Sequence, residues 1–118
     1  MSDSIDDLSR RLREFARARD WEQFHSPKNL SMALIAEAAE LVEHFQWLTE
    51  EQSLNLSAEK RREVGLELAD IFIFLLRCAD QLGVDLVAAA NEKTDINERR
   101  FPVERVHGRA VRGADCAA

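Results

Sequence analysis

The segment Leu34–Trp47, LIAEAAELVEHFQW, decides the fold. At about 3.6 residues per helical turn, Leu34, Ala38, Leu41, Phe45 and Leu48 fall in one stripe, the mark of a helix laid on a core. Glu37 and Glu40, three apart, flank that stripe on the same side. Glu37 stands close enough to the apolar edge to be partly desolvated, and a carboxylate there is costly unless it is paired or binds a metal. A second segment, Glu67–Leu76 (ELADIFIFLL), repeats the arrangement, with Glu67 and Asp70 beside a stripe of Val64, Leu68, Ile71, Leu75 and Leu82. Laid over each other the two read E-x-A-[ED]-[LI]. Packed side by side, two such helices bring four carboxylates together.

The remaining pattern is helical throughout. Ser4 is placed to cap a first helix over Ile5–Arg19, with Asp6 and Asp7 in its first turn and Ile5, Leu8, Leu12 and Phe15 on its apolar face. Ser26 followed by Pro27 starts a second helix that the periodicity extends to Leu48. Thr49–Leu56 reads as a polar loop, Ser57 caps a third helix, and Gly83 ends it. Asp85 caps a fourth helix that runs to about Arg99 and stops near Pro102. Residues 1–102 read as one all-α domain of four helices. Residues 103–118 lack a period and are expected to form a flexible tail. Within the third helix Ile71–Leu76 is apolar on every side, more than so short a chain can enclose, so a homo-oligomer is expected.

Composition narrows the functional classes. With 118 residues, 46% apolar and 32% charged, the chain fits one ordinary globular domain. A net charge of −6 disfavours nucleic acid as a partner. No apolar run approaches membrane-spanning length, and the acidic start MSDSIDD is unlike a secretory signal, so the expected location is the cytoplasm. Cys78 and Cys116 match neither a disulfide framework nor a zinc spacing.

Three constellations carry chemistry. Glu37, Glu40, Glu67 and Asp70 are hard oxygen donors without a cysteine or a histidine cluster, which suits Mg²⁺, with Mn²⁺ as the other choice; the plainer explanation is two helices with solvated acids. Glu43 falls on the far side of its helix, and Glu63, one turn before Glu67, reads as exposed. His44 follows Glu40 by four residues rather than the three of di-iron bundles, and reads as a partner of Glu40 rather than a ligand. The loop WEQFHSPKN places Trp21, Phe24, His25 and Asn29 near one another, with Trp47 at the end of the second helix. Aromatics with an amide and an imidazole suit a nucleobase, although Trp21 and Phe24 would equally plug the end of a bundle. Lys93, Asn97 and Arg100 share one face of the fourth helix, fit to grip a polyphosphate or to remain a solvated basic end.

Together DWEQFHSPKNL, E-A-A-E-L-x-E-x-F-Q-W, E-L-A-D-I and K-T-D-I-N-x-R-R-F-P resemble the MazG-like nucleotide pyrophosphohydrolases of the all-α NTP pyrophosphatase superfamily, and within them the deoxycytidine triphosphate branch. The resemblance implies Mg²⁺-dependent cleavage of a nucleoside triphosphate between its α and β phosphates, by a dimer or tetramer. It assigns Glu37, Glu40, Glu67 and Asp70 to the metal, Lys93, Asn97 and Arg100 to the phosphates, and Trp21, His25 and Trp47 to the base. One departure stands out: the tyrosine that such relatives tend to carry one turn after the metal-binding aspartate is Phe74 here, in a chain without any tyrosine. The rival class is a non-catalytic helical module for oligomerisation or partner binding, whose acids are surface charge.

Overall fold

A computed structural model describes residues 4–110. Among these residues every regular element is helical: α1 (Ile5–Ala18), a 3-10 turn (Glu22–Phe24), α2 (Pro27–Glu43), α3 (Glu50–Leu54), α4 (Ala58–Leu82), α5 (Leu86–Arg100) and α6 (Val103–Val106). The chain divides into two units, one ending at Val84 and one beginning at Asp85.

In the first unit the expected caps form. Ser4, Ser26 and Ser57 each accept a hydrogen bond from the backbone N–H three residues on, satisfying a donor that the helix itself cannot. Gly83 closes α4 in the left-handed conformation, at φ 66°. Two boundaries differ from expectation. The second helix ends at Glu43 rather than Leu48, and His44–Leu48 form turns, with the Gln46 N–H donating to Val42 O and the Leu48 N–H to Phe45 O. The expected loop after it contains α3, held by a reciprocal box in which Thr49 Oγ1 accepts from the Gln52 N–H and Gln52 Oε1 accepts from the Thr49 N–H.

α2 packs along α4, and α1 also meets α4. The buried core is small: Ala16, Leu30, Val64, Leu76 and Ala79. On α4 burial does not follow the expected stripe. Val64 is buried and Glu67 and Ile71 half-buried, whereas Leu68, Leu75 and Leu82 are exposed. From Val64 both the i+3 and the i+4 neighbour are open to the inward face. The fold takes i+3, which turns Glu67 in and Leu68 out. The apolar run Ile71–Leu76 is therefore covered on one side only, with Leu76 buried and Phe72 and Leu75 exposed. α2 likewise leaves Met32, Ile35 and Val42 exposed.

α1 is fastened to α4 by charge. Arg13 donates to Asp80 through Nε at 3.0 Å and Nη2 at 2.5 Å, and Arg77 Nη1 donates to the same carboxylate at 2.9 Å. The two guanidinium groups, the Arg13 hydrogen bond first, hold the Asp80 carboxyl below its ordinary range.

In the second unit Asp85 caps α5 by accepting from the Ala88 N–H, and the helix stops before Pro102 as expected. Val103–Val106 forms a further helical turn in a stretch whose composition offers no period, and residues 111–118 of the expected tail lie outside the described residues. No helix of the described residues is long and apolar enough to cross a membrane.

Candidate metal centre and adjoining cavity

Packing α2 against α4 brings their acids together. One carboxylate oxygen from each of Glu37, Glu67 and Asp70 lies within 4.8 Å of the others. Glu37 and Glu67 are half-buried, and Oε2 of each is buried without a hydrogen-bond partner. Buried acceptors left this way are costly. Desolvation, then hydrogen bonding and repulsion from Glu40, then the charges of Asp70 and Glu67 push the Glu37 carboxyl up to about 7. Desolvation and the Glu40 charge also raise Glu67. Glu40 thus acts on both neighbours, but it is exposed and stands outside the group of three that meet within 4.8 Å.

Three carboxylates, two of which each carry one buried and unsatisfied oxygen, fit a divalent cation such as Mg²⁺ or Mn²⁺. An ion would supply the missing partner of both Oε2 atoms and offset the desolvation and repulsion that hold Glu37 up. His44 faces this group and not Glu40: its Nε2 is 4.0 Å from Glu67 Oε1, beyond hydrogen-bond reach. Glu43 is exposed, and Glu63 is exposed and pairs with Lys60 at 3.6 Å.

Beside the acids lies a cavity of about 180 Å³, whose walls include Phe15, Trp21, His25, Asp70, Phe74 and Arg77. Asp70 belongs to both the acid cluster and the cavity. Trp21 meets Phe15 edge to face, with ring centroids 5.8 Å apart. The 3-10 turn and the Ser26 cap deliver His25, whose carbonyl accepts from Gln81 Nε2 at 2.8 Å and whose Nδ1 faces Arg77 Nε at 3.4 Å. Burial first, and then the Arg77 charge, lower the His25 pKa, so at neutral pH the ring is uncharged and its proton sits on Nε2.

Of the residues expected at a base, Trp21, His25 and Phe74 line the cavity; Asn29 and Trp47 do not. Asn29 spends its amide on the Phe24 carbonyl at 3.0 Å, tying the 3-10 turn to the start of α2. Trp47 is 86% exposed because α2 ends before it. Phe24, at 59% exposed, plugs nothing. Lys93, Asn97 and Arg100 lie on α5 in the second unit, Lys93 and Arg100 exposed and Asn97 half-buried, with the Arg100 guanidinium 5.5 Å from the Phe101 ring.

The sequence reading missed Arg77. It is the one charged side chain that is buried among the described residues. The signal was present as a lone cation inside the apolar run IFIFLLRCA.

The chain also matches known proteins in sequence and in fold. The sequence model of the MazG-like family matches residues 33–115. The chain is 42% identical over 114 residues to dCTP pyrophosphatase 1 of Bos taurus, spanning 95% of this chain and 68% of that protein. It is 44% identical over 101 residues to dCTP pyrophosphatase 1 of Homo sapiens, where it spans 59% of that protein's length. A crystal structure of a pyrophosphatase from Archaeoglobus fulgidus superposes with a TM-score of 0.80 at 34% identity, over 86% of this chain and 95% of that one. The chain belongs to the MazG-like family.

Proposed function

We propose that the protein is a nucleoside triphosphate pyrophosphohydrolase that depends on a divalent cation, Mg²⁺ foremost, and converts dCTP or a close pyrimidine analogue into the monophosphate and pyrophosphate. The observation that carries the reading is the pair of buried, unpartnered carboxylate oxygens of Glu37 and Glu67, gathered with Asp70 beside an aromatic cavity. A helical module with solvated surface acids has no use for such a pair. The names of the relatives supply the substrate class.

Glu37, Glu67 and Asp70 hold the ion, and Glu40 adds negative charge from the side. When bound, the ion supplies positive charge that neutralises the triphosphate and lowers the pKa of a water nucleophile. Trp21 and Phe74 hold the flat face of the base, and the neutral His25 ring offers its Nε2 proton to the base edge. Trp47 and Asn29 remain candidates for the base only if the substrate extends past the cavity. The family resemblance assigns Lys93, Asn97 and Arg100 of α5 to the phosphates, and in that role the charges of Lys93 and Arg100 stabilise the departing pyrophosphate.

We assign the activity to residues 1–102, in the cytoplasm, as a nucleotide-pool enzyme, and the assembly to a homodimer or homotetramer. The exposed stripes Leu68, Phe72, Leu75 and Leu82 on α4 and Met32, Ile35 and Val42 on α2 support the assembly, since contiguous apolar surface on a soluble chain marks a contact. The decisive experiment is a panel of nucleoside triphosphates with Mg²⁺ in which pyrophosphate and orthophosphate are measured separately. Pyrophosphate from dCTP is the expected product. Orthophosphate alone, or no turnover of any nucleotide, overturns the reading.

A further inference from the structure

Arg77 is 3% exposed, yet only part of its donor set is used. Nη1 donates to Asp80 at 2.9 Å and Nε faces His25 Nδ1 at 3.4 Å, but Nη2 is buried with no partner. The ion pair does not account for it. Asp80 already accepts both prongs of the Arg13 fork, so two guanidinium groups share one carboxylate. A charged donor left unsatisfied in an apolar wall costs stability, and the side chain lines the cavity that Trp21 and Phe74 also line.

We infer that Arg77 is a base-reading residue, its Nη2 donating to a carbonyl oxygen of a single-ring base held in the cavity. The inference deepens the proposed function and rests on its placement of the base. At about 180 Å³ the cavity is smaller than the roughly 300–1,000 Å³ clefts that enclose drug-sized ligands, which suits one ring of a nucleotide and not the whole. Phe15 and Phe74 carry no polar group, and Asp70 can only accept when ionised. Donation therefore falls to Arg77, the His25 ring and the Trp21 indole. Arg77 alone among them brings a full positive charge, the form of donor that hydrogen-bonds a carbonyl most strongly. Pyrimidines present a carbonyl at C2. A base without a carbonyl would leave Nη2 unsatisfied, the situation in which a polar site rejects an analogue most firmly.

The test compares wild type, Arg77→Met and Asp80→Asn. Two readouts are taken: calorimetric binding of deoxycytidine monophosphate, and the ratio of kcat/KM for dCTP to that for the abasic 2-deoxyribose 5-triphosphate. Arg77→Met is expected to weaken monophosphate binding, and to lower the ratio, by about ten- to a hundredfold. Asp80→Asn, which loosens the ion pair but leaves Arg77 lining the cavity, is expected to melt lower and keep the ratio. Asp80 retains Arg13 as a partner when Arg77 is replaced. Should Arg77→Met nevertheless fail to fold, Arg77→Lys keeps the charge for Asp80, withdraws Nη2, and is expected to lower the ratio likewise. Equal losses on both triphosphates, an equal fall of the ratio in Asp80→Asn, or no monophosphate binding by wild type would each overturn the inference. If wild type binds the monophosphate and hydrolyses no triphosphate, the proposed function fails, while the calorimetry of Arg77→Met still decides the role of Arg77.

Discussion

Glu37 and Glu67 behave as a pair whose cost is set by what lies between them. For Glu37 the folded carboxyl, up at about 7, exceeds its ordinary 4.5, so folding favours the protonated form. Its contribution is fully present below pH 4.5, where both folded and unfolded chains hold the proton. As pH rises from 4.5 to about 7 the unfolded chain ionises first, and stability is lost. Thermal melts in chelator should therefore fall across that interval and level off above it, and Mg²⁺ should flatten the decline. A profile in chelator that rises between pH 4.5 and 7 would contradict the Glu37 assignment. Replacing Glu67 by Gln removes one charge at nearly constant volume. Glu67→Gln should abolish turnover, melt higher than wild type in chelator, and gain less from Mg²⁺, which at a hundredfold excess over its Kd should give wild type about 2.7 kcal/mol. Retained activity with a melting temperature indifferent to Mg²⁺ would return these acids to the solvated surface. The doubled E-x-A-[ED]-[LI] pattern made Glu37, Glu67 and Asp70 legible, because spacing along two packed helices is enough to gather three groups. It could not rank Glu40, whose exposure depends on how α2 is rotated about its own axis.

At the scale of elements, α4 carries most of the information and most of the surprises. Its ends were readable from Ser57 and Gly83, since capping is local chemistry. Its inward face was not, because a one-residue choice between i+3 and i+4 is settled by the partner helices and not by period. Two changes probe this helix. Asp80→Ala would leave the buried Arg77 guanidinium without its carboxylate, and is expected to cost about 3–5 kcal/mol in denaturant titrations. Because the Asp80 carboxyl is held below its ordinary 3.8, the stability it lends is present above pH 3.8 and disappears as pH falls through its lowered pKa. Gly83→Ala would meet no neighbour within 4 Å, so its loss should come from the left-handed backbone alone, about 1 kcal/mol in the same titration. A loss several times larger would mean that the turn into Asp85 does more than end a helix. The five-residue α3 escaped the sequence because a polar stretch with two leucines has too few turns to show a period, although Thr49 and Gln52 spelled out its box.

Across the whole molecule the fold class was legible and the quaternary question was raised by the same surplus of apolar residues. Leu30 is the only large side chain that is fully buried among the described residues, while eighteen large apolar side chains remain exposed there. So thin a core, at the protein's size, argues that folding and association reinforce each other. Light scattering at micromolar concentration should give a multimer, and Leu68→Asp combined with Leu75→Asp should lower both its mass and its melting temperature. A wild-type monomer would remove the case for assembly. What the sequence could not supply was the cavity. Its walls come from α1, the two residues flanking the 3-10 turn and α4; spacing marked Phe15 only as part of an apolar face, and Arg77 sits in no motif.

The placement of the two tryptophans has an optical consequence. Trp21 lines the cavity and Trp47 stands almost fully in solvent, so their indoles report on different places. Emission from Trp47 should be red and readily quenched by iodide, a steady background while the cavity fills. Trp21, in contact with whatever enters, should dim or shift when a pyrimidine stacks near it. With Trp47 replaced by Phe, the intensity of a single indole becomes a stopped-flow signal for ligand entry, without any label attached to the protein.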